Sequence, residues 1–226
     1  MAASMLKPYA RQRMLLAMAI SLLPLNGLRV GLYRRLMGYD LAPGARIGLM
    51  TVIACESFKA GRNLVMGRNN RFVGPLRVEF GEQVIVGRFN LFSCGTSAGS
   101  PDKAHMNYAR RITAGDGVLI NDNHFFDVYG ALDIGARTWV AGMGSQFWTH
   151  GASVMERDIR VGAGCYLGSA VRLAPGAEIG DRCVLGIGSV VVSRLAETDA
   201  VLAGFPAKKL RDITPEDGRQ FVFEAS

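Results

Sequence analysis

The feature that most constrains the fold of this chain is a six-residue repeat between residues 159 and 192. A large apolar residue recurs at every sixth position, and a glycine or alanine follows nearly all of them. Because side chains alternate between the two faces of a strand, every sixth residue returns to the same face. The small residue that follows lets the backbone turn sharply. Each hexad therefore predicts one short strand and one turn, the repeating unit of a parallel β-helix. The recurring residues are Val161, Leu167, Leu173, Ile179, Leu185 and Val191.

Two stretches of the repeat region carry a resemblance to a known family. They are LGSAVRLAPGAEIGDRCVLGIGSVVV at 167–192 and AGFPAKKLRD at 203–212. Both resemble the hexapeptide-repeat acyltransferases, and more narrowly the bacterial acetyltransferases that modify sugars. The resemblance covers 132–213 and can be traced back to about residue 44. It implies an all-β fold, a left-handed parallel β-helix of three-sided cross-section, with acetyl-CoA as co-substrate. It also implies a homotrimer whose active sites lie between adjacent prisms.

Hexads in degraded form continue towards the N-terminus as far as Ile47. When insertions are allowed, each of six coils has three inward positions, one for each face of the prism. The extra residues always follow the third face, so the insertions are predicted to stack along one edge. Loops grouped on a rigid scaffold are a common position for functional residues. The predicted inward residues, coil by coil, are Ala60, Met66 and Phe72; Phe80, Val86 and Phe92; Ala114, Ile120 and Phe126; Ile134, Val140 and Phe147; Val161, Leu167 and Leu173; and Ile179, Leu185 and Val191.

These limits divide the chain into three predicted parts. Residues 1–43 form a helical segment that is both basic and apolar, and residues 44–194 form the β-helix domain. Its two main edge loops are predicted at 93–113 and 148–158. Residues 195–226 form a segment close to the CoA site and a polar tail, with a short helix near 215–223.

The charge of the chain is concentrated in its N-terminal segment. The net charge is +7, and residues 1–39 contain six basic residues and no acidic one. The rest is nearly neutral, which argues against a nucleic-acid-binding protein. The apolar run at 14–25 is too short to span a bilayer and contains Pro24. Two short helices are predicted, the second ending near Gly38. They either cover the open end of the solenoid or contact an anionic membrane surface, and the two roles are compatible.

Cysteine usage indicates a reducing compartment. The four cysteines show no CxxC spacing, which argues against a zinc ribbon or a redox motif. With eighteen residues in a coil, Cys165 and Cys183 should stack in adjacent coils as buried, reduced side chains. We therefore expect a cytoplasmic protein. Peripheral contact at the inner face of the cytoplasmic membrane is one of the two roles left open for residues 1–39.

Three histidines, at positions 105, 124 and 150, are the candidates for acid–base chemistry. His150 lies in the edge-loop sequence QFWTHG, and the resemblance implies that a histidine in this Thr-His setting is the general base. An imidazole suits that role because its ordinary pKa lies near physiological pH. The alternative for His150 is a surface histidine without a role. His105 also lies in an edge loop, and nothing else recommends it.

Residues near the third face are predicted to complete the site. His124 is predicted either to join the site across a subunit boundary or to cap a turn. Asp127 either orients a histidine as the acidic member of a catalytic pair or turns its own loop. Trp148 is predicted to stack on a sugar ring or on the pantetheine arm, with plugging of the prism edge as the alternative. Asn123 is a further candidate for substrate binding.

The resemblance also implies positions for the acetyl-CoA contacts. Arg194 follows Ser193, at which many relatives have lysine, and would replace that charge. The GFPAK sequence matches the Gly-x-Pro-Ala-Lys motif of the family, so its lysines are candidates for the nucleotide phosphates. The alternative for these lysines is a solvated basic turn. The predicted cofactor-binding residues are Ser169, Ile187, Val192, Ser193, Lys208 and Lys209.

Together these features predict an O-acetyltransferase that moves acetyl from acetyl-CoA to a hydroxyl of a sugar or glycan precursor. The alternatives are a sugar N-acetyltransferase and a non-catalytic solenoid that binds a partner. A zinc enzyme similar to the γ-class carbonic anhydrases is disfavoured, because those enzymes need an H-x4-H pair. The histidine spacings here are 19 and 26, so no metal is expected.

Overall fold

A computed structural model describes residues 11–152, 154–214 and 217 of the chain. It begins with two helices, α1 (Arg11–Ser21) and α2 (Asn26–Met37), and continues with short strands. Two 3-10 helices, Thr96–Gly99 and Pro101–Met106, lie between β7 and β8. The strands are β1 (Asp40–Leu41), β2 (Arg46–Ile47), β3 (Val52–Ala60), β4 (Val65–Met66), β5 (Arg71–Phe80), β6 (Ile85–Val86), β7 (Leu91–Ser93), β8 (Arg111–Ala114), β9 (Leu119–Asp122), β10 (Phe125–Asp127), β11 (Ala131–Ile134), β12 (Trp139–Met143), β13 (Gln146–Trp148), β14 (Ile159–Val161), β15 (Tyr166–Leu167), β16 (Arg172–Leu173), β17 (Glu178–Ile179), β18 (Val184–Leu185), β19 (Val190–Val191), β20 (Arg194–Leu195), β21 (Ala200–Gly204) and β22 (Ala207–Asp212).

The strands form a parallel β-helix, as the hexads predict, and it has the three faces that the resemblance implies. Face two is one continuous sheet, in the order β2-β4-β6-β9-β12-β15-β18-β21, and β22 adds to it antiparallel. Faces one and three belong to a single sheet, because β3 and β5 run unbroken around the corner between them. β1, β8, β11, β14, β17 and β20 complete face one, and β7, β10, β13, β16 and β19 complete face three.

The register of the strands confirms every predicted inward position. All the predicted inward residues are buried, and those of the first five coils pair with their counterparts in the next coil. On face three the pairing stacks aromatic rings, with centroids 4.2 Å apart for Phe72 and Phe92 and 4.3 Å apart for Phe92 and Phe126. The core is thus a column of equivalent side chains from successive coils.

The paired strands extend beyond the predicted limits of 44 and 194. An earlier coil places Leu41, Ile47 and Ile53 beneath the first predicted one, through the pairing of β1, β2 and β3 with their successors. At the other end, β20 and β21 continue faces one and two. Of the predicted helix near 215–223, only Asp217 is among the described residues.

The stacked cysteines are also confirmed. Cys165 and Cys183 are both buried and free, and they precede the paired residues Tyr166 and Val184 of face two. The thiol of Cys165 lies 3.1 Å from the carbonyl of Gly180, and the thiol of Cys183 lies at the same distance from another backbone carbonyl. Burial raises the pKa of the Cys165 thiol to about 12, so this residue is an inert part of the core.

The two N-terminal helices close the first end of the solenoid. At the open end, alternate residues of the first coil point both their carbonyl and their N–H group away from the following coil, as Ile47 does: its N–H donates to Oδ1 of Asn26 over 2.8 Å. The helices supply the missing partners, most of them donors, because a buried backbone group without a partner is costly. The side chains of Arg13, Arg29, Tyr33, Arg34 and Asn26 donate respectively to the carbonyls of Cys55, Ile47, Thr51, Leu41 and Ala45.

The predicted helices and the end of the second are confirmed. Gly38 adopts a left-handed conformation with φ of 72° and ends α2 by donating its N–H to the Tyr33 carbonyl. Across the described ranges, the helices are all too short or too polar to traverse a bilayer.

The two longer edge loops contact each other beside face three. Arg157, in the loop between β13 and β14, is buried and donates to the carbonyl of Met106 over 3.1 Å. Its guanidinium lies over the ring of Tyr108, 4.7 Å from the centroid. The loop that contains the 3-10 helices is thereby fixed against the loop that carries His150.

Candidate active site

Asp127 and His150 form a hydrogen-bonded pair at the corner between faces three and one. Asp127 ends β10 and Trp148 ends β13, and these two residues are paired in register, so His150 emerges directly beside the carboxylate. The Nδ1 atom of His150 lies 2.9 Å from Oδ2 of Asp127. The side chain of Asp127 is 6% exposed, whereas that of His150 is 44% exposed. A buried carboxylate therefore orients an imidazole that substrate can reach.

Backbone amides fix the carboxylate of Asp127 in this position. The same Oδ2 atom accepts the N–H of His150 over 3.1 Å and that of Thr149 over 3.2 Å. Burial raises the pKa of Asp127, and the hydrogen bonds from His150 and the two amides oppose that rise. An ionised carboxylate only accepts hydrogen bonds, so the imidazole proton is assigned to Nδ1. The lone pair of Nε2 is then the free base.

Thr149 joins the strands on which the pair stands. Its hydroxyl donates to the carbonyl of Asp127 over 2.6 Å and accepts the N–H groups of Tyr129 and Gly130 over 2.8 and 2.9 Å. The residue is fully buried. Thr149 therefore precedes His150 for a structural reason, because it fixes the turn after Asp127 to the turn that carries the histidine.

Tyr129 is a site residue that sequence reasoning missed. Its ring stacks on the imidazole of His150, with centroids 4.2 Å apart and planes inclined by 28°. The ring of Tyr108 packs edge-on against the ring of Tyr129, with centroids 5.1 Å apart. A Cβ atom on Gly95 would lie 1.9 Å from the Tyr129 hydroxyl, so only glycine fits there. The tyrosine is held from several sides and limits the rotation of His150.

His124 is not brought to this pair. It precedes the inward Phe126 by two positions and Asp127 by three, so its side chain points into the prism whereas that of Asp127 points out. His124 is 2% exposed, and its Nδ1 accepts the N–H of Ser145 over 3.1 Å. Within the described residues its buried Nε2 has no hydrogen-bond partner. Burial lowers the pKa of His124 to about 4.

Instead, His124 belongs to a column of polar side chains inside the corner between faces two and three. In this corner column the side-chain acceptor of one coil receives the backbone N–H of the next. Asn90 donates its N–H to Asn70 over 2.9 Å, and His124 donates its N–H to Asn90 over 2.8 Å. In the next coil, Ser145 donates its N–H to Nδ1 of His124 in the same way. In this geometry His124 supports the corner column, and its predicted role in the site stays a prediction.

The other predicted residues around His150 are divided between two corners. Trp148 is 37% exposed beside the pair, and its ring packs on Phe125 at 4.7 Å. Asn123 lies across face three, in the turn between faces two and three, with φ of 57°. Asparagine tolerates this left-handed conformation, which accounts for the residue type without a ligand. His105 is exposed in the second 3-10 helix.

The predicted acetyl-CoA contacts are divided in the same way. Val192 and Ser193 follow the inward Val191 and lie on the corner of His150, whereas Ser169 and Ile187 lie on the opposite corner of face three. Ile187 is 76% exposed and Val192 49%. These residues therefore flank face three on both sides.

The predicted lysines lie on the antiparallel strand β22 at the end of face two. Both are exposed, and Lys209 pairs with Asp212 over 2.6 Å. Arg194 lies near Glu156 and Glu178, at 3.6 and 3.8 Å. In the part of the chain that the structure describes, no cluster of three or more His, Cys, Asp or Glu side chains is arranged to hold a metal ion.

Comparison with known proteins concerns the fold. No protein-family model matches the chain, and neither does any curated protein. The chain is similar to a hexapeptide-repeat acetyltransferase from Vibrio cholerae, with 20% identity, a TM-score of 0.47 and coverage of 90% of this chain and 89% of that chain. It is also similar to a UDP-N-acetylglucosamine O-acyltransferase from Moraxella catarrhalis, with 13% identity, a TM-score of 0.49 and coverage of 82% and 77%. For a maltose O-acetyltransferase from Clostridium difficile the values are 16%, 0.36, 90% and 86%. The strand register of this chain shows a parallel β-helix by itself.

Proposed function

We propose that this protein is an acetyltransferase that moves acetyl from acetyl-CoA to a hydroxyl of a sugar or glycan precursor, with His150 as the general base. The observation that carries the proposal is the Asp127–His150 pair, in which a buried carboxylate holds an accessible imidazole through Nδ1. This arrangement suits removal of a proton from an alcohol. The thioester specificity comes from the sequence resemblance over 167–192 and 203–212.

In the proposed reaction, Nε2 of His150 removes the proton of the acceptor hydroxyl as its oxygen attacks the thioester carbon. A tetrahedral intermediate forms, and backbone N–H groups stabilise its oxyanion. The C–S bond then breaks, an ester remains on the acceptor, and the imidazolium returns the proton to the CoA sulfur. Asp127 keeps the imidazole in the correct tautomer and stabilises the imidazolium.

Substrates would approach from the outer side of face three. Trp148 and Phe125 form a partly exposed aromatic surface beside His150, which suits an apolar face of a sugar ring. The exposed side chains of Ile187 and Val192 would contact the pantetheine arm. Lys208 and Lys209 would meet the nucleotide phosphates of acetyl-CoA. The proposed assembly is a homotrimer, which sedimentation equilibrium would test.

The proposal assigns His124 to the corner column and Tyr129 to positioning of His150. A histidine whose pKa is lowered to about 4 by burial remains neutral at physiological pH. Its one accessible acceptor atom is already used by Ser145. His124 therefore serves the fold, and His150 is the single base of the reaction.

Turnover of acetyl-CoA with a panel of sugars tests this function. His150→Ala should reduce kcat by about 10²–10⁴-fold, the usual contribution of a general base. His105→Ala is the matched control, because it removes another exposed histidine and should leave kcat unchanged. Near-normal turnover by the His150 variant would refute the assignment of the base.

The product and the donor distinguish the alternatives. An ester product is lost on alkaline treatment, and a mass-spectrometric product that survives the treatment would indicate N-acetylation. A non-catalytic solenoid predicts no affinity for CoA. A thermal-shift titration with acetyl-CoA that leaves Tm unchanged would therefore count against any acetyltransferase.

A further inference from the structure

The outer surface of the two capping helices is apolar and exposed. Leu15, Met18 and Leu22 lie on one side of α1 and its end, with exposures of 64%, 48% and 62%. On the α2 side, Leu25 and Leu28 are 66% and 45% exposed. Leu36, Leu49 and Met50 are exposed as well, and the N–H of Met50 donates to the carbonyl of Ser21 at the end of α1. These residues together are called the outer leucine surface.

The capping helices are apolar on their outer side as well as on much of their inner side, unlike an ordinary surface helix. The side that faces the solenoid contains apolar residues such as Ile20 and Val30, together with Arg13 and Arg29, which are 2% and 6% exposed and donate to carbonyls. The side that faces away contains the leucines. A helix at a water interface normally has its charges outward and its apolar residues inward. The requirement for carbonyl donors explains the inward arginines, but it does not explain the outward leucines.

An exposed apolar surface of this extent indicates a partner, because single exposed leucines are ordinary but a contiguous group is not. The charge around it identifies the class of partner. Residues 1–39 contain no acidic residue. Arg13 and Arg29 are buried in the cap, whereas Arg11 and Arg35 are exposed on the helices that carry the leucines. Two copies of this chain joined through this surface would bring like charges together. An anionic lipid surface satisfies both the leucines and the cations.

We infer that the outer leucine surface docks the protein on an anionic lipid bilayer. The leucines enter the boundary between headgroups and acyl chains, and the cations lie near the lipid phosphates. The prism then stands with its first coil at the membrane. This inference is independent of the proposed acetyl transfer, because it rests on the N-terminal cap, whereas the Asp127–His150 pair lies several coils away.

Vesicle co-sedimentation of the full chain tests the docking. The vesicles are phosphatidylcholine with and without phosphatidylglycerol, at low and at high salt. We expect binding that needs phosphatidylglycerol and weakens as salt is raised. Leu15→Gln combined with Leu22→Gln should weaken the partition by about tenfold or more, because two exposed leucines lose their contact with the acyl region. Surface substitutions of this kind leave the fold intact, which circular dichroism verifies.

The matched control combines Met143→Gln with Leu210→Gln, which removes apolar residues of 58% and 65% exposure away from the cap. It should bind vesicles like the unaltered chain. Three results would overturn the inference: an unaltered protein that stays in the supernatant with phosphatidylglycerol at low salt, equal binding by the leucine variant, or equal loss in the control. If the unaltered protein fails to bind and the leucine variant instead lowers its oligomeric state in sedimentation velocity, the surface joins copies of the chain.

Discussion

Acidification should destabilise this protein through His124, and the size of the effect follows from the burial of the imidazole. Burial lowers the pKa of His124 from 6.5 to about 4, and the negative charge of Asp122 opposes the shift only in part. The unfolded chain therefore binds a proton near pH 6.5 that the folded chain does not accept until about pH 4. The contribution of neutral His124 to the free energy of unfolding is fully present above its unfolded pKa of 6.5 and is lost as the pH falls towards about 4. The loss is about 3 kcal/mol in total, since each pKa unit is worth about 1.4 kcal/mol.

Urea unfolding of the native chain and His124→Asn, from neutral pH down to about pH 4, measures this contribution. Asparagine is the matched replacement, because Asn70 and Asn90 already accept the N–H of the next coil from equivalent positions. The carboxylates are common to both proteins, so their effects cancel in the difference. The stability advantage of the native chain over the variant should shrink by about 3 kcal/mol over this range. His105→Asn, at an exposed histidine, should show no such change. A pH-independent difference between the native chain and His124→Asn would refute the reasoning.

Three further predictions concern the site, the cap and the core. Tyr129→Leu should lower kcat by about tenfold, because the ring that stacks on His150 is lost. Tyr129→Phe keeps this ring and should have a kcat close to that of the native protein. An equal loss of kcat in both variants would exclude a role for stacking. Arg13→Met should lower the free energy of unfolding by about 1–3 kcal/mol, because the Cys55 and Met37 carbonyls lose a buried donor, while exposed Arg11→Met should have little effect in the same urea titration. Cys165 and Cys183 should react slowly with a thiol reagent in the native protein, and rapid labelling would contradict their stacking inside the prism.

The core of the solenoid could be predicted because one number, the period of six, fixes both the face and the register. Phe126 and Phe147 had to stack once their coils were aligned, whatever the loops between them did. The form of the insertions could not be predicted. The extra residues between Phe72 and Phe80 remain within the continuous strand β5, because β3 follows the same path and pairs with it. The extra residue of β5 is absorbed as an irregularity in its pairing with β3 between Cys55 and Ser57, and the sequence carries no local signal of it.

The Asp127–His150 pair was within reach of sequence reasoning because both residues follow an inward phenylalanine of face three. The contributions of Tyr129 and His124 were not. The position of Tyr129 depends on a turn held by Thr149 from the next coil. The role of His124 depends on Asn90 in the previous coil and Ser145 in the next. Contacts between coils join residues far apart in sequence, and no spacing within one coil reveals them.

The sequence also could not predict where the positive charges of the basic N-terminal segment lie. A count of cations does not reveal whether a guanidinium faces water or the protein. Three carbonyls that face the open end, those of Cys55, Ile47 and Leu41, accept hydrogen bonds from Arg13, Arg29 and Arg34. Much of the positive charge that composition assigns to a surface is therefore already used inside the cap. The outward side has five exposed leucines, with Arg11 and Arg35 beside them. Apolar contact should consequently contribute more than charge to membrane binding, and the leucine substitutions should weaken binding more than neutralisation of Arg11 and Arg35.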